Sequence, residues 1–271
     1  MNQAGDHEGA LRRVLADGHE DRLVREEPLR ILVHGEPLLT MRTPGHDQDL
    51  ALGFLLAEGV VQRPDEVLAM RATPGDVSKL EPDTLTIDLA TSALPRVRQR
   101  LARTHEIRAS CGACGLVDAE HLLEGMPPLL PGVPRFDLRM VTRLMAGLDR
   151  EQRLFQATGG SHAAALFAAD GRLLAHAEDV GRHNALDKAI GSAARAGPDL
   201  SHAIALLSGR AGFDLVLKCL RVRIPIILSV SAPSALGFDL CRTAGATLIG
   251  FVRGDRATVY VAGGRLDSGT V

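Results

Sequence analysis

Residues 1–22 run polar and mixed in charge with no sustained apolar period, which predicts a loose arm. Between 29 and 41 two short apolar runs flank His34-Gly35-Glu36-Pro37, the pattern of a β-hairpin. Thr43-Pro44 breaks the chain. Residues 46–58 then place Leu50, Phe54, Leu55 and Ala57 on a helical stripe that Gly59 ends. Alternation returns in Thr84-Leu85-Thr86-Ile87-Asp88-Leu89, a half-buried strand. Pro127, Pro128, Pro131 and Pro134 crowd residues 126–134, where neither helix nor sheet can continue, so a domain boundary is expected there.

The second half has a different rhythm. A helix is predicted over 137–148, with a further segment to 155. Strands at 163–167 and 173–177 join through a turn at Asp170-Gly171. Helices at 183–194, 212–220 and 234–244 then alternate with strands at 203–207, 225–230 and 247–252, and a strand at 257–261 closes the series. Alternation at this pitch predicts a layered α/β domain. The chain thus divides into an arm (1–22), an N-terminal α+β domain (23–126) and a C-terminal α/β domain (137–271). At roughly 150 residues per domain, its 271 residues suit one large or two modest domains.

Composition narrows the function. Lys+Arg is 31 against Asp+Glu 33, a net charge of −2, which disfavours a globally basic nucleic-acid binder. Trp is absent and Tyr260 is the only tyrosine, so a stacking platform for single strands is hard to build. Only Lys79, Lys188 and Lys218 are lysines; the other cations are arginines, planar forks suited to phosphate. The apolar runs at 163–169 and 224–230 are far short of a membrane span. The first residues, Met1-Asn2-Gln3-Ala4-Gly5-Asp6-His7-Glu8, carry neither a basic nor an apolar leader region, so a cytoplasmic protein is expected. Its four cysteines are then thiols by default.

Two of them form the sharpest motif, Ser110-Cys111-Gly112-Ala113-Cys114-Gly115. The glycines leave little side-chain cover over the sulfurs. Arg96, Arg98, Arg100, Arg103 and Arg108 lie upstream against one acid, Glu106, and helical spacing follows over 116–124. Cations and a helix N-terminus shift a thiol toward thiolate, the nucleophilic form. Four readings stay open on the residues alone: structural zinc, a redox dithiol, inert buried cysteines, and a reactive thiol that carries a group. The arginine run reads equally as a solvated helix face. Cys219 and Cys241 are isolated and default to core packing.

Three further stretches suit anions or proton chemistry. Ser208-Gly209-Arg210-Ala211-Gly212 lies between a predicted strand and a predicted helix, where backbone N–H groups can hold an anion, or where a tight turn merely exposes an arginine. Phe251-Val252-Arg253-Gly254-Asp255-Arg256 opens a hairpin whose arginines and Asp255 suit phosphate and a guanine edge, or are solvated charges. Glu178-Asp179-Val180-Gly181-Arg182-His183-Asn184-Ala185-Leu186-Asp187-Lys188 offers His183 as a base or ligand, or is a capped helix start with internal ion pairs.

Taken together with Thr158-Gly159-Gly160-Ser161-His162 and Ser231-Ala232-Pro233-Ser234, these motifs appear in order over roughly residues 25–261 and resemble the formate dehydrogenase accessory sulfurtransferase family of the FdhD/NarQ type. The resemblance implies a C-terminal domain of cytidine deaminase-like fold and a homodimer. It implies a sulfur carrier that takes persulfide sulfur from a cysteine desulfurase and passes it to Mo-bis(molybdopterin guanine dinucleotide), the cofactor of formate dehydrogenase. Carried over, Cys111 holds the persulfide and Cys114 is the second thiol. Phe251, Val252, Arg253, Gly254, Asp255 and Arg256 would contact the guanine-containing pterin. A deaminase needs H-x-E followed by P-C-x-x-C. His176-Ala177-Glu178 supplies the first and nothing supplies the second, so neither deamination nor a metal of the protein's own is expected. No nucleic acid and no membrane enter this picture. The alternatives are a non-catalytic cofactor-binding chaperone and a dithiol oxidoreductase.

Overall fold

The computed structural model describes residues 9–76, 79, 81–109, 119–254 and 256–267, with only the backbone of 102–109 and of His121. Among the described residues the fold is mixed α/β, with twelve strands in three sheets. Strands β1 (Ala10–Val14) and β2 (Glu20–Val24) pair antiparallel. This hairpin stands where a loose arm is expected. Its turn is closed by the Leu15 N–H on the His19 carbonyl, with Gly18 in left-handed backbone. Nearly all its side chains are exposed, so burial left no alternating imprint on the sequence.

The second sheet runs β4-β3-β6-β5, from β3 (Glu27–Val33), β4 (Glu36–Arg42), β5 (Val67–Thr73) and β6 (Asp83–Leu89). The expected β3–β4 hairpin turns on His34 and Gly35, both at positive φ, as a two-residue hairpin loop requires. Helix α1 (Asp47–Ala57) follows β4 and is buried on every side from Asp49 onward. A helix apolar all round belongs inside a core. Helix α2 (Leu94–Ala109) sends Val97 and Leu101 into the same core, while Arg96 donates to the Val60 carbonyl and pairs with Glu66. Helix α3 (Ala119–Leu123) packs near the later helix Ala235–Ala244.

The C-terminal elements fall close to their expected positions. Helices α4 (Met140–Glu151) and α5 (Arg153–Thr158) precede β7 (His162–Phe167) and β8 (Leu173–Asp179). Then come α6 (Arg182–Ala196), β9 (Ile204–Leu207), α7 (Phe213–Arg221), β10 (Ile226–Ser229), α8 (Ala235–Ala244), β11 (Thr247–Arg253) and β12 (Arg256–Val261). The sheet order is β12-β11-β10-β9-β7-β8. Strands β9, β10 and β11 are parallel, as crossovers through helices allow, and the flanking pairs are antiparallel.

One hydrophobic cluster continues from Leu29, Ile31 and Leu85 of the four-stranded sheet through α1 to Leu186, Leu215 and Leu240 of α6, α7 and α8. A second lies on the other face of the six-stranded sheet, under Val141, Leu144 and Leu148 of α4. The crossing of α1 and α6 depends on two glycines. A Cβ at Gly53 would stand 1.7 Å from the Asp187 carbonyl oxygen, and one at Gly191 would stand 1.9 Å from that of Asp49. The two backbones touch because neither residue has a side chain.

The proline-rich segment is tied down: buried Arg265 donates to the carbonyls of Leu130 and Val133. No described helix is long and apolar enough to cross a membrane.

Candidate functional site

Parallel strands β9, β10 and β11 end at one edge of the sheet, where β7 also begins and β8 ends. That edge therefore gathers His162, residues 179–183, the 208–212 turn, the 230–234 turn and the start of the β11–β12 hairpin. The carboxyl edge of parallel strands is where open α/β sheets bind ligands. Its turns are fixed by hydrogen bonds. Ser208 Oγ accepts the Ala163 N–H at 2.8 Å. Ser229 Oγ sits between the Gly209 and Ser231 carbonyls at 3.2 and 2.6 Å. Ser234 caps α8 by accepting the Gly237 N–H at 3.1 Å.

The polar stretch before α6 splits in two. Asp179 is fully buried; it accepts from Thr43 N–H, Gly181 N–H and Asn184 Nδ2 and pairs with Lys188 Nζ at 2.7 Å. Lys188 also donates to the Thr43 carbonyl, and Asn184 to that of Met41. Asp187 pairs with Lys218, which also meets Glu58 of the α1 end. Burial alone lowers the Lys218 pKa, but these two carboxylates raise it above its ordinary value, so the ammonium stays charged. These residues join the N-terminal layer to α6.

Arg182 and His183 face the other way, toward the edge. His183 Nε2 is hydrogen-bonded to Asp214 Oδ2, and Arg182 Nη2 stands 3.6 Å from the same oxygen. Burial pushes the Asp214 carboxyl up, but the His183 hydrogen bond and charge, with the Leu215 N–H, outweigh it and hold the pKa at about 2. His162 lies beside Gly209: a Cβ there would stand 3.6 Å from its Nδ1. Burial lowers the His162 pKa, and the charges of Arg182 and His183 lower it further.

The hairpin predicted to contact guanine sits two strands along. Phe251 holds left-handed backbone at φ 51, its N–H donates to the Ser231 carbonyl, and the residue is 44% exposed. A bulky residue at positive φ is an outlier that the surroundings must impose. Arg253 and Arg256 are exposed, and Gly254 turns the chain at φ 56. Val252 points into the core beneath α4. Asp255 lies outside the described residues, as do Cys111 and Cys114.

A profile of the FdhD/NarQ family matches residues 24–267. The chain belongs to the FdhD/NarQ family. It is 44% identical over 273 residues to the sulfur carrier protein FdhD of Anaeromyxobacter dehalogenans strain 2CP-C, covering 95% of this chain and 93% of the relative. It is 40% identical over 258 residues to the sulfur carrier protein FdhD of Streptomyces avermitilis, covering 91% and 89%. The crystal structure of a protein described as a formate dehydrogenase accessory protein, from Desulfotalea psychrophila, superposes with a TM-score of 0.70 over 95% of this chain and 97% of that one. At 24% identity that likeness shows the fold alone.

Within this family member, the deaminase-like His176-Ala177-Glu178 serves other ends. Glu178 accepts the N–H groups of Leu154 and Phe155 at 2.7 and 2.8 Å, capping α5, and the Ser161 hydroxyl at 2.8 Å. Burial holds His176 below the ordinary histidine pKa, and its Nε2 has no hydrogen-bond partner among the described residues. Among the described residues no group of three or more His, Cys, Asp and Glu side chains is placed to hold a metal ion. Cys219 and Cys241 are core residues, as expected. Burial pushes the Cys241 thiol up to about 12 and the Cys219 thiol up as well, so neither is a nucleophile at neutral pH. Sequence reasoning missed Asp214, Arg182 and His162 as edge residues. A polar residue just inside a predicted helix start was the available signal, and it does not distinguish a cap from a partner across the edge.

Proposed function

We infer that this protein is a sulfur carrier acting in the maturation of formate dehydrogenase. The observation that carries the reading is the Cys111-Gly112-Ala113-Cys114 motif in a chain 44% identical to proteins named sulfur carriers. The other pair, Cys219 and Cys241, is sealed in the core and protonated, which leaves Cys111 and Cys114 as the thiols available for transfer. The Cys111 thiolate attacks the outer sulfur of a cysteine desulfurase persulfide. A new S–S bond forms on Cys111, the donor's S–S bond breaks, and the donor leaves as thiolate, with no net change of oxidation state. The protein then hands the outer sulfur to Mo-bis(molybdopterin guanine dinucleotide), bound as substrate: the S–S bond on Cys111 breaks, Cys111 leaves as thiolate, and the transferred sulfur takes two electrons from the reduced acceptor to become sulfide.

Exposed Phe251 and the Arg253 and Arg256 guanidiniums support a guanine site on the β11–β12 hairpin, with Gly254 and Asp255 at its turn and Val252 anchoring it from below. The strand order β8-β7-β9-β10-β11 with helices between the parallel strands supports a deaminase-like C-terminal layer. The family resemblance supports a cytoplasmic homodimer.

Activation of sulfur-free formate dehydrogenase tests the reading. Cys111→Ala is expected to bind the cofactor normally and to leave the dehydrogenase inactive. Full activation by Cys111→Ala would replace the carrier with a cofactor-holding chaperone. Turnover with a dithiol reductant through a reversible Cys111–Cys114 disulfide would make the protein an oxidoreductase.

A further inference from the structure

At the amino edge of the six-stranded sheet, where the crossover helices end, lies a cavity of about 740 Å³. That size falls among cavities that take a side chain or a small molecule, roughly 300–1,000 Å³. Its walls come from α3, the proline-rich segment and the last turns of α7 and α8. Leu123, Met126, Leu129 and Leu220 make the apolar part, continuous with the main hydrophobic cluster. The polar part carries negative charge. Exposed Glu120 and Glu124 stand four residues apart and so share a face of α3. Thr243 and Ala244 bring the C-terminal end of α8 to the cavity, and Leu220 that of α7. Such ends present carbonyls without partners in the helix and the negative pole of its dipole. The cations of those last turns are held elsewhere: Lys218 by Asp187 and Glu58, Arg221 by Glu58, and Arg242 by Asp239. An apolar hollow under negative potential fits a cationic head on an apolar stem and repels an acidic segment.

The chain ties this cavity to the cysteines. Glu120 stands six residues after Cys114, so at most about 21 Å of backbone separates them. The β11–β12 hairpin, given above to the acceptor, turns at the opposite edge of the sheet. An occupant of the cavity is thus within reach of Cys114 and clear of the acceptor, as a donor must be. We propose that this cavity is the docking site of the sulfur donor, and that it takes a segment of that protein carrying a lysine or arginine beside an apolar side chain. The inference rests on the carrier reading and adds to it the surface on which the donor sits.

The test compares two donors on the intact chain: a cysteine desulfurase with cysteine, which must dock, and cysteine persulfide, which is too small to need docking. Both load Cys111 by the same exchange, the outer sulfur moving to Cys111 and the donor leaving as thiolate. Loading is read as mass gain over time for wild type, for the double variant Glu120→Gln, Glu124→Gln, and for Thr243→Arg. All three positions are exposed, so the variants fold. The half-saturating desulfurase concentration is expected to rise about tenfold in each variant with the maximal rate unchanged, while cysteine persulfide loads all three proteins at one rate. Added salt should raise the wild-type value and affect the double variant little. Equal desulfurase values in all three proteins would overturn the docking site and leave the carrier reading in place. A native mass that falls in Thr243→Arg, with desulfurase loading unchanged, would give the cavity to a second copy of this chain and overturn the donor site. Loading of wild type by neither donor would overturn both the docking site and the carrier reading.

Discussion

Two regions of this protein are built from the same eleven-residue stretch and behave oppositely. Facing the N-terminal layer, Asp179, Asn184, Asp187 and Lys188 are buried and every charge meets a partner. Facing the carboxyl edge, Arg182 and His183 stay partly exposed and share one carboxylate. The first region is a joint, and the second keeps partly exposed charges at the sheet edge. Density of polar residues does not separate the two roles; burial and the balance of partners do.

The largest effect should come from breaking the joint. Lys188→Ala strands the Asp179 carboxylate in a closed site, which costs about 3–5 kcal/mol. Chemical denaturation should show that loss, while Arg182→Ala changes stability by under about 0.5 kcal/mol. Next in size is the helix crossing. Gly191→Ala forces a methyl into the Asp49 carbonyl, so α1 and α6 must separate, at about 3 kcal/mol by the same assay.

Acid sharpens the contrast at the edge. Asp214 has its pKa depressed to about 2, below the ordinary aspartate value, so its contribution to stability is complete above about pH 4. It fades as pH falls toward 2, by about 2 kcal/mol in all. Asp214→Asn should flatten the stability profile over that interval, and an unchanged profile would remove the His183 pairing from the account. The smallest effect is expected on the hairpin: Arg253→Ala and Arg256→Ala should leave the denaturation midpoint in place and weaken guanine-nucleotide binding alone.

Much of the C-terminal half was legible in the sequence because its strands and helices are short, apolar and punctuated by glycine or by turn residues such as Asp170-Gly171. Ser234 announced the α8 cap, and Gly59 the end of α1. The β1–β2 hairpin was illegible because its strands bury almost nothing, and alternation is written only by burial. Strand β5 is an edge strand with a register shift between Val67 and Ala69, which blurs its period. At the site, His183 was visible as a chemical group, but Asp214 was not. Their meeting depends on two crossover helices starting at the same sheet edge, which no local pattern records. His176-Ala177-Glu178 shows the converse: a motif that reads as catalytic in one dimension caps a helix in three.

Sulfur transfer as proposed requires a persulfide on Cys111. Intact mass of the wild-type protein after incubation with a cysteine desulfurase and cysteine tests it most directly. A gain of about 32 Da is expected, one persulfide sulfur, that reductant removes and that Cys111→Ala lacks. The same gain on Cys111→Ala, or none on protein that still activates the dehydrogenase, would contradict it.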